Sequence, residues 1–173
     1  MPFGLINAPA TFSRIMRKLL EGTERLHNYL DDVLASTKCW QSHLVALREL
    51  FNRARAGCLA IRPSKCSVGY NSVKFLGFTV STHGLSPAPE TVDKLLRAPR
   101  PETKTQLRSF LGLVGFYRRF VPSFAQIAVA LTDLTRKGAP NKLRWEAPQE
   151  HAFVSLRIHI AGKKVLRLPG YLE

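Results

Sequence analysis

Two adjacent carboxylates, Asp31 and Asp32, are the side chains of this sequence best suited to chemistry. They lie within the segment 26–36, which is predicted to form strand, turn and strand. Neighbouring like charges repel, and Asp is depleted in strands. The pair is explained if it occupies a tight hairpin and faces Mg²⁺, a hard ion held by one or two carboxylates plus substrate phosphates. The alternative is a solvated turn, where Asp is common.

The motifs around this pair favour the metal-binding interpretation. The sequence reads MPFGLINAPATF at 1–12, and KC at 65–66 and VKFLGF at 73–78 come after the pair. FLGLVGFYRRF follows at 110–120. In order and spacing, these motifs resemble the reverse transcriptase of Ty3/gypsy-type long-terminal-repeat retrotransposons, and the resemblance covers nearly the whole chain.

This resemblance implies an RNA-directed DNA polymerase, which joins a primer 3′-hydroxyl to an incoming deoxynucleotide. Such enzymes use two divalent metal ions roughly 3.5–4 Å apart, here Mg²⁺ or Mn²⁺. Asp31 and Asp32 would supply two of the family's three carboxylates, Asp31 being the more direct metal ligand, and Tyr29 would brace nucleotides at the primer terminus. In relatives the third carboxylate and the fingers precede the first motif. The chain is therefore expected to be an inactive fragment that begins at an internal methionine.

The resemblance assigns further contacts. Phe3 and Gly4 would lie under the incoming nucleotide and the template base, although an ordinary loop before a helix is the alternative. Lys65 would protonate the leaving pyrophosphate as a general acid, or is an ordinary exposed loop residue. Phe75, Leu76 and Gly77 match a hairpin that contacts the primer backbone in the family. The alternative is an ordinary buried hairpin.

The glycines of the motif at 110–120 carry information of their own, because Gly inside a helix costs about 1 kcal/mol relative to Ala. A helix is predicted over 104–120, with about 100° of rotation per residue. One stripe of it is poor in side chains and flanked by cations: Arg108, Gly112, Gly115 and Arg119. Such a stripe suits a duplex backbone lying close to it, and the alternative is tight helix packing. A second stripe is predicted to be core: Leu107, Phe110, Leu111, Val114 and Tyr117.

Charge and composition favour a nucleic-acid partner. Lys and Arg number 26 against 12 acidic residues, which gives a formal net charge of +14. A polyanionic partner is the simplest interpretation, with a generally basic surface as the alternative. No membrane partner is expected, since neither a long apolar run nor a signal-peptide pattern occurs. Cys39, Cys58 and Cys66 lack zinc-type spacing and are predicted to be reduced packing residues of an intracellular protein, cytoplasmic or nuclear.

Periodicity and turn residues predict the elements that must position these side chains. Helices are expected between Asn7 and Gly22 and over four further segments: 41–56, 104–120, 124–136 and 148–160. The second helix is predicted to bury Leu44, Leu47, Phe51 and Ala54. Besides the hairpin, strands are expected over 59–61, 66–70 and 73–80, and Gly84 and Pro87 are predicted to end this block. Capping boxes are predicted at Thr103 to Gln106 and at Ser123 to Gln126.

Together these patterns predict an α+β fold: a partial reverse-transcriptase palm of antiparallel strands with helices, then a helical thumb and tether. The Pro-rich stretch 86–103 marks the boundary, so palm, thumb and tether are expected at 1–86, 87–138 and 139–173. The tether resembles the lead into an absent ribonuclease H domain. Expected partners are an RNA or DNA template with primer, dNTPs, and the missing N-terminal fingers and palm and C-terminal ribonuclease H of a parent polyprotein. The alternative function is a non-catalytic nucleic-acid-binding remnant or domesticated retroelement protein.

Overall fold

A computed structural model describes residues 6–162 and Leu166 of the chain. Backbone contacts divide the chain into two compact units, Met1–Asn71 and Ser72–Glu173, each with its own hydrophobic core. Both units combine helices with antiparallel strands, which confirms the predicted α+β class. The division after Asn71 lies upstream of the expected boundary between palm and thumb, and that domain assignment stays a prediction.

The first unit is a β-hairpin flanked by two helices. In chain order these elements are α1 (Ala8–Leu19), β1 (Leu26–Tyr29), β2 (Asp32–Ala35) and α2 (Trp40–Ala56). A short 3-10 helix follows at Pro63–Lys65. The buried core residues come from α1, from its C-terminal end, from β1 and from α2: Met16, Leu20, Leu26 and Ala46.

The end of α1 is held by a side chain from α2. The guanidinium of Arg53 donates to the backbone oxygens of Leu19 at 2.7 Å and Glu21 at 2.9 Å. These carbonyls belong to the helix end, where backbone acceptors have no partner within the helix. Arg53 also forms an ion pair with Glu49, one turn earlier in α2, at 3.0 Å. The predicted stop near Gly22 is thus supported by a contact from distant sequence.

The buried face of α2 was predicted only in part. Ala54, which was predicted to be buried, is 5% exposed, whereas Leu44 and Phe51 are 38% and 45% exposed. Ala46, which was not predicted, is 1% exposed, because a small side chain lets the helix backbone approach its neighbours closely. Ala46 accordingly lies in the core with residues of α1 and β1.

The strands predicted over 59–61 and 66–70 are absent from the described part of the chain. The amide of Leu59 instead donates back to the carbonyl of Ala54 at 2.8 Å, which extends the end of α2. Cys58 adopts a left-handed backbone conformation with φ of +51°, so the chain turns there instead of extending. The 3-10 helix at Pro63–Lys65 lies between the two segments.

The second unit begins with a three-stranded antiparallel sheet in the order β3 (Ser72–Phe75), β4 (Phe78–Ser81) and β5 (Gly84–Pro87). The single strand predicted over 73–80 was wrong, because the chain reverses between β3 and β4. Gly77, with φ of +81°, permits this reversal. The segment predicted to end the block is itself a strand, β5.

Four helices complete the second unit: α3 (Pro89–Arg97), α4 (Lys104–Phe116), α5 (Phe124–Asp133) and α6 (Ala147–Ala161). The first of them lies in the stretch predicted to be a boundary, and Pro in its first turn is compatible with a helix start. Because α4 ends at Phe116, the prediction of one helix to Phe120 was wrong. A 3-10 helix, Arg118–Phe120, follows instead.

Only one of the two predicted capping boxes forms. The amide of Gln106 donates to Oγ1 of Thr103 at 3.3 Å, and the amide of Thr103 donates to Oε1 of Gln106 at 3.2 Å. Ser123 makes no side-chain cap, and its φ of +51° is left-handed instead of extended. The cap geometry needs an extended residue at this position, so the Ser123 prediction was wrong.

The core of the second unit is formed by the helices, and it includes four of the five residues predicted for the buried stripe of α4. Its fully or nearly fully buried members include Leu95, Leu107, Phe110, Val114, Tyr117, Leu131, Phe153, Leu156 and Ile160. Trp145 packs at its edge and donates its indole N–H to the carbonyl of Pro101 at 2.7 Å. The last described residue, Leu166, forms an isolated antiparallel bridge with Leu85 of β5. None of the described helices is long and apolar enough to cross a membrane.

Candidate active site and duplex-binding face

Asp31 and Asp32 lie at the tip of the first hairpin. Tyr29 pairs with Asp32 in the antiparallel register, so Leu30 and Asp31 form a two-residue turn and Asp32 begins β2. Leu30 has a φ of +54°, a conformation that a branched residue adopts rarely. Both carboxylates are exposed. The predicted arrangement of strand, turn and strand around the pair is therefore confirmed.

The hairpin has a core face and a solvent face, because residues directly opposite each other share a face. Leu26 and Ala35 form one such pair and pack against the core of the first unit. Tyr29 and Asp32 form the pair nearest the turn, and the ring of Tyr29 is 54% exposed. An exposed aromatic ring thus stands opposite an exposed carboxylate at the tip of the hairpin.

The pair offers oxygen donors but does not complete a metal site. In residues 6–162 and Leu166, no group of three or more His, Cys, Asp or Glu side chains is placed to hold a metal ion. Two exposed carboxylates match the ligands of hard divalent cations, which take further oxygens from water and phosphates. The described residues therefore fit a divalent ion as a partial ligand set.

The other residues predicted to act with Asp31 and Asp32 are not joined to them in the described part of the chain. Lys65 is exposed at the end of the 3-10 helix in the first unit, and within the described residues no ion pair joins it to Asp31 or Asp32. Phe3 and Gly4 lie outside the described residues. Their assigned contacts with the nucleotide remain predictions.

The predicted primer-gripping segment forms the β3–β4 turn of the second unit. Phe75 pairs with Phe78 across the hairpin, and Leu76 and Gly77 form the turn with φ of +53° and +81°. Both turn residues are exposed, so the alternative of a simply buried hairpin does not describe this turn. Lys74 of β3 forms an ion pair with Glu90 of α3, and this hydrogen bond lowers the pKa of Glu90.

The glycines of α4 face open space. A Cβ built on Gly112 or on Gly115 would meet no other atom within 4 Å. Tight helix packing therefore does not explain either glycine within the described part of the chain. The face is available for a partner that approaches the helix backbone closely, which is the interpretation drawn from the sequence.

The two arginines predicted to flank this glycine face are placed differently from the prediction. The guanidinium of Arg108 donates to the carbonyl of Thr135 at 3.1 Å, beyond the end of α5. Arg119 is exposed but lies in the 3-10 helix, so it does not continue the stripe of α4. The helix tightens there because the amide of Phe120 bonds to the carbonyl of Tyr117, three residues back.

Phe116 is a residue of this face that the sequence reasoning did not assign. It follows Gly112 by four residues and so lies on the same side of α4. Its ring is 56% exposed and lies close to the β3–β4 turn, since a Cβ on Gly77 would be 3.5 Å from its Cε1. An exposed aromatic at this spacing from a helical glycine was the available signal.

The first unit carries a separate cationic surface. An open cleft of about 360 Å³ lies against α1 and β1. Its lining includes three cations, Arg14, Arg17 and Lys18, and one carboxylate, Glu21. Part of the charge of +14 is therefore concentrated on the first unit.

Known sequences similar to this chain come from retrotransposons. Residues 1–80 match the family described as reverse transcriptase (RNA-dependent DNA polymerase). The chain is 30% identical over 169 residues to the transposon Tf2-3 polyprotein of Schizosaccharomyces pombe, covering 96% of this chain and 12% of that protein. It is 34% identical over 176 residues to the retrovirus-related Pol polyprotein from transposon 297 of Drosophila melanogaster, covering 99% of this chain and 16% of that protein. The chain thus spans less than a fifth of either relative.

Solved structures of the foamy viral protease-reverse transcriptase are similar to this chain. The complex with double-stranded DNA gives a TM-score of 0.88 at 28% identity, covering 96% of this chain and 29% of that one. The complex with an RNA/DNA hybrid gives 0.85 at 27% identity, covering 96% and 23%.

Residues 1–80 thus match the reverse-transcriptase family. Over nearly its whole length the chain is similar to retrotransposon Pol polyproteins and to foamy viral reverse-transcriptase structures. This confirms the resemblance predicted from the motifs.

Proposed function

We propose that the chain supplies the catalytic hairpin and the thumb of an RNA-directed DNA polymerase. Residues 1–86 are the palm remainder, 87–138 the thumb and 139–173 the tether toward a ribonuclease H domain of a parent polyprotein. The substrates are dNTPs and a primer on an RNA or DNA template. The observation that carries this proposal is the exposed pair Asp31 and Asp32 on a two-residue turn, with Tyr29 opposite Asp32.

Asp31 and Asp32 would hold the divalent ion, either Mg²⁺ or Mn²⁺. When bound, such an ion stabilises the negative charge of the transferred phosphoryl group and of the leaving pyrophosphate. Tyr29 offers its exposed ring to the nucleotide at the primer terminus. Lys65 donates a proton to the pyrophosphate, and Phe3 and Gly4 support the nucleotide and template base, roles that rest on the family resemblance alone.

The duplex is bound by α4 of the thumb together with the β3–β4 turn of the palm remainder. Gly112 and Gly115 allow the nucleic-acid backbone to approach the helix, and the exposed ring of Phe116 lies next to them. Arg119 provides an exposed cation for a phosphate, whereas Arg108 is already engaged with the carbonyl of Thr135. The printed descriptions of the similar foamy viral structures, bound to double-stranded DNA and to an RNA/DNA hybrid, support this part of the proposal.

By themselves, the 173 residues are expected not to polymerise. In the described part of the chain the Asp pair has no third carboxylate beside it, and loss of an essential metal ligand costs several decades in rate. A primer-extension assay with Mg²⁺ and dNTPs tests this, with Asp31→Asn as the matched control. No incorporation by either protein supports the expected inactivity. Template-dependent incorporation that disappears in Asp31→Asn contradicts the expected inactivity but supports the proposed role of Asp31.

A second function, non-catalytic binding of nucleic acid, is favoured by the open face of α4 and the charge of +14. Neither feature depends on the carboxylates. The two functions differ in their response to the substrate nucleotide. If the chain belongs to a polymerase, Mg²⁺ with the next complementary dNTP tightens primer–template binding, and Asp31→Asn abolishes that gain. If affinity is the same with and without the dNTP, the second function is supported.

A further inference from the structure

We infer that Tyr117 is a positioning residue, which fixes the β3–β4 turn relative to α4 so that the turn and the helix face meet one duplex together. The inference rests on the proposed duplex-binding function. It concerns the second unit alone, because all the contacts described below lie within that unit.

The hydroxyl of Tyr117 joins three elements. Tyr117 is the residue directly after α4, and its side chain is buried, at 3% exposure. Its hydroxyl donates to the carbonyl oxygen of Gly77 at 2.9 Å and lies 3.3 Å from Oγ1 of Thr91 in α3. The amide of Ala88 donates to the same Gly77 carbonyl at 3.2 Å. The Gly77 carbonyl thus accepts two hydrogen bonds, one from the residue that follows α4 and one from the residue that follows β5.

The turn is a conformation that needs such support. Leu76 and Gly77 both have positive φ, at +53° and +81°, and a branched residue pays a conformational cost there. A Cβ on Gly77 would lie 3.3 Å from the hydroxyl oxygen of Tyr117, a tight contact. Glycine at this position therefore leaves room for the hydroxyl beside the turn.

The ring of Tyr117 would pack equally well without its hydroxyl. It makes an edge contact with Phe78, with centroids 5.4 Å apart and planes inclined by 69°, and it lies 6.3 Å from the ring of Phe120. Phenylalanine fills the same space and avoids the cost of burying a polar group. The ring of Tyr117 therefore provides the packing, whereas its hydroxyl holds the Gly77 carbonyl in place through a hydrogen bond.

The position that it fixes matters because both neighbouring surfaces are exposed. Leu76 and Gly77 of the turn are open to solvent, as are Gly112 and Phe116 of α4. A duplex that contacts both surfaces at once requires a constant distance and orientation between the β3–β4 turn and α4. Without the hydroxyl bond, the turn is free to shift along the duplex while α4 keeps its contact.

The test compares the full chain with Tyr117→Phe, using a primer–template whose primer carries one photoreactive thymidine analogue at successive positions. Mass spectrometry then locates each crosslink on the protein, and anisotropy gives the affinity. Tyr70→Phe is the matched control, since Tyr70 is 70% exposed in the other unit. In Tyr117→Phe, crosslinks to residues 75–77 should spread over additional primer positions, while crosslinks to α4 stay at the wild-type positions. Affinity should fall by about threefold to tenfold, the range for one hydrogen bond.

Crosslink positions are read only from bound, folded protein, so a change in stability alone leaves them unaltered. Unchanged crosslinks to the turn in Tyr117→Phe would overturn the positioning role while leaving the proposed function intact. Restoration of the wild-type pattern by p-aminophenylalanine at position 117, which keeps an N–H donor, would support it. If the wild-type chain itself fails to bind the duplex, the proposed function fails, and the positioning role fails with it.

Discussion

Phe116 stacks on Phe78, with ring centroids 5.1 Å apart and planes inclined by 22°. This contact joins the end of α4 to β4, so the helix and the β3–β4 hairpin share one packed aromatic group. Phe116 nevertheless remains largely exposed, and its free surface continues the open glycine face of α4. The proposed duplex-binding surface is thus attached to the core of its unit.

Gly112→Leu should weaken duplex binding without loss of stability. A leucine side chain has room at this position, because a Cβ there meets nothing within 4 Å. Leu also favours the helix over Gly by about 0.8 kcal/mol, so the melting temperature should rise or stay constant. Fluorescence anisotropy on a primer–template measures the affinity, and circular dichroism measures the melting. Wild-type affinity in a stable variant would contradict the duplex-facing assignment.

Arg119→Ala should reduce the salt dependence of binding. One lost phosphate contact lowers the slope of log affinity against log salt by about one. Arg17→Ala is the matched control, because it removes the same charge from the cleft of the first unit. Equal effects of the two substitutions would show that general charge, and not this position, supplies the affinity.

Arg108→Ala should act on stability as well as on binding. Its guanidinium donates to the carbonyl of Thr135 at 3.1 Å, and an exposed hydrogen bond of this kind contributes about 0.5–1.5 kcal/mol. Thermal melting should therefore shift downward in Arg108→Ala but not in Arg119→Ala. If both variants melt at the wild-type temperature, the bond between Arg108 and Thr135 contributes nothing measurable.

Binding of Mg²⁺ by Asp31 and Asp32 should be weak without nucleic acid, about millimolar or weaker. Two exposed carboxylates leave most of the octahedral shell to water, and no third protein ligand is placed nearby in the described residues. Titration followed by NMR of the hairpin amides measures this affinity, with Asp31→Asn as the comparison. Micromolar binding would reveal a further protein ligand.

Cys39 should react with alkylating reagents at neutral pH faster than Cys58. Hydrogen bonds from Ser42 lower the pKa of the exposed Cys39 thiol, and the thiolate is the nucleophile. Because the pKa is lowered, the advantage is largest below the ordinary thiol pKa and shrinks as pH rises above it. Mass spectrometry of peptides after brief alkylation gives both rates. Ser42→Ala should slow Cys39, and an unchanged rate would exclude the Ser42 hydroxyl as the cause.

The elements that the sequence predicted correctly have local signals. The strand-forming residues on either side of Asp31 and Asp32 predicted the hairpin, and Thr103 with Gln106 predicted the start of α4. The elements that it missed lack such signals. The Pro-rich stretch 86–103 was predicted to be a boundary, but it contains α3, whose Leu95 is fully buried. The segment 73–80 was predicted as one strand, but the left-handed turn at Leu76 and Gly77 divides it into two.

Burial was the property that local patterns predicted least well. Cys39, Cys58 and Cys66 were expected to be packing residues, yet all three are exposed. Leu44 and Phe51 were assigned to the buried face of α2 and are exposed, whereas Ala54 was assigned to it correctly and Ala46 was not assigned. Whether a side chain is buried depends on what the rest of its unit places against it, and composition does not contain that information.

The sequence by itself determined the chemistry: the carboxylate pair on a turn, the order of the motifs and the family that they indicate. Only the tertiary structure decided which surfaces are free. It left Gly112 and Gly115 open, engaged Arg108 with a distant carbonyl, and brought the Tyr117 hydroxyl to Gly77 across 40 residues of sequence. Motifs are set by residues adjacent in the chain, whereas exposure and long-range hydrogen bonds arise when separate elements pack together and exclude water.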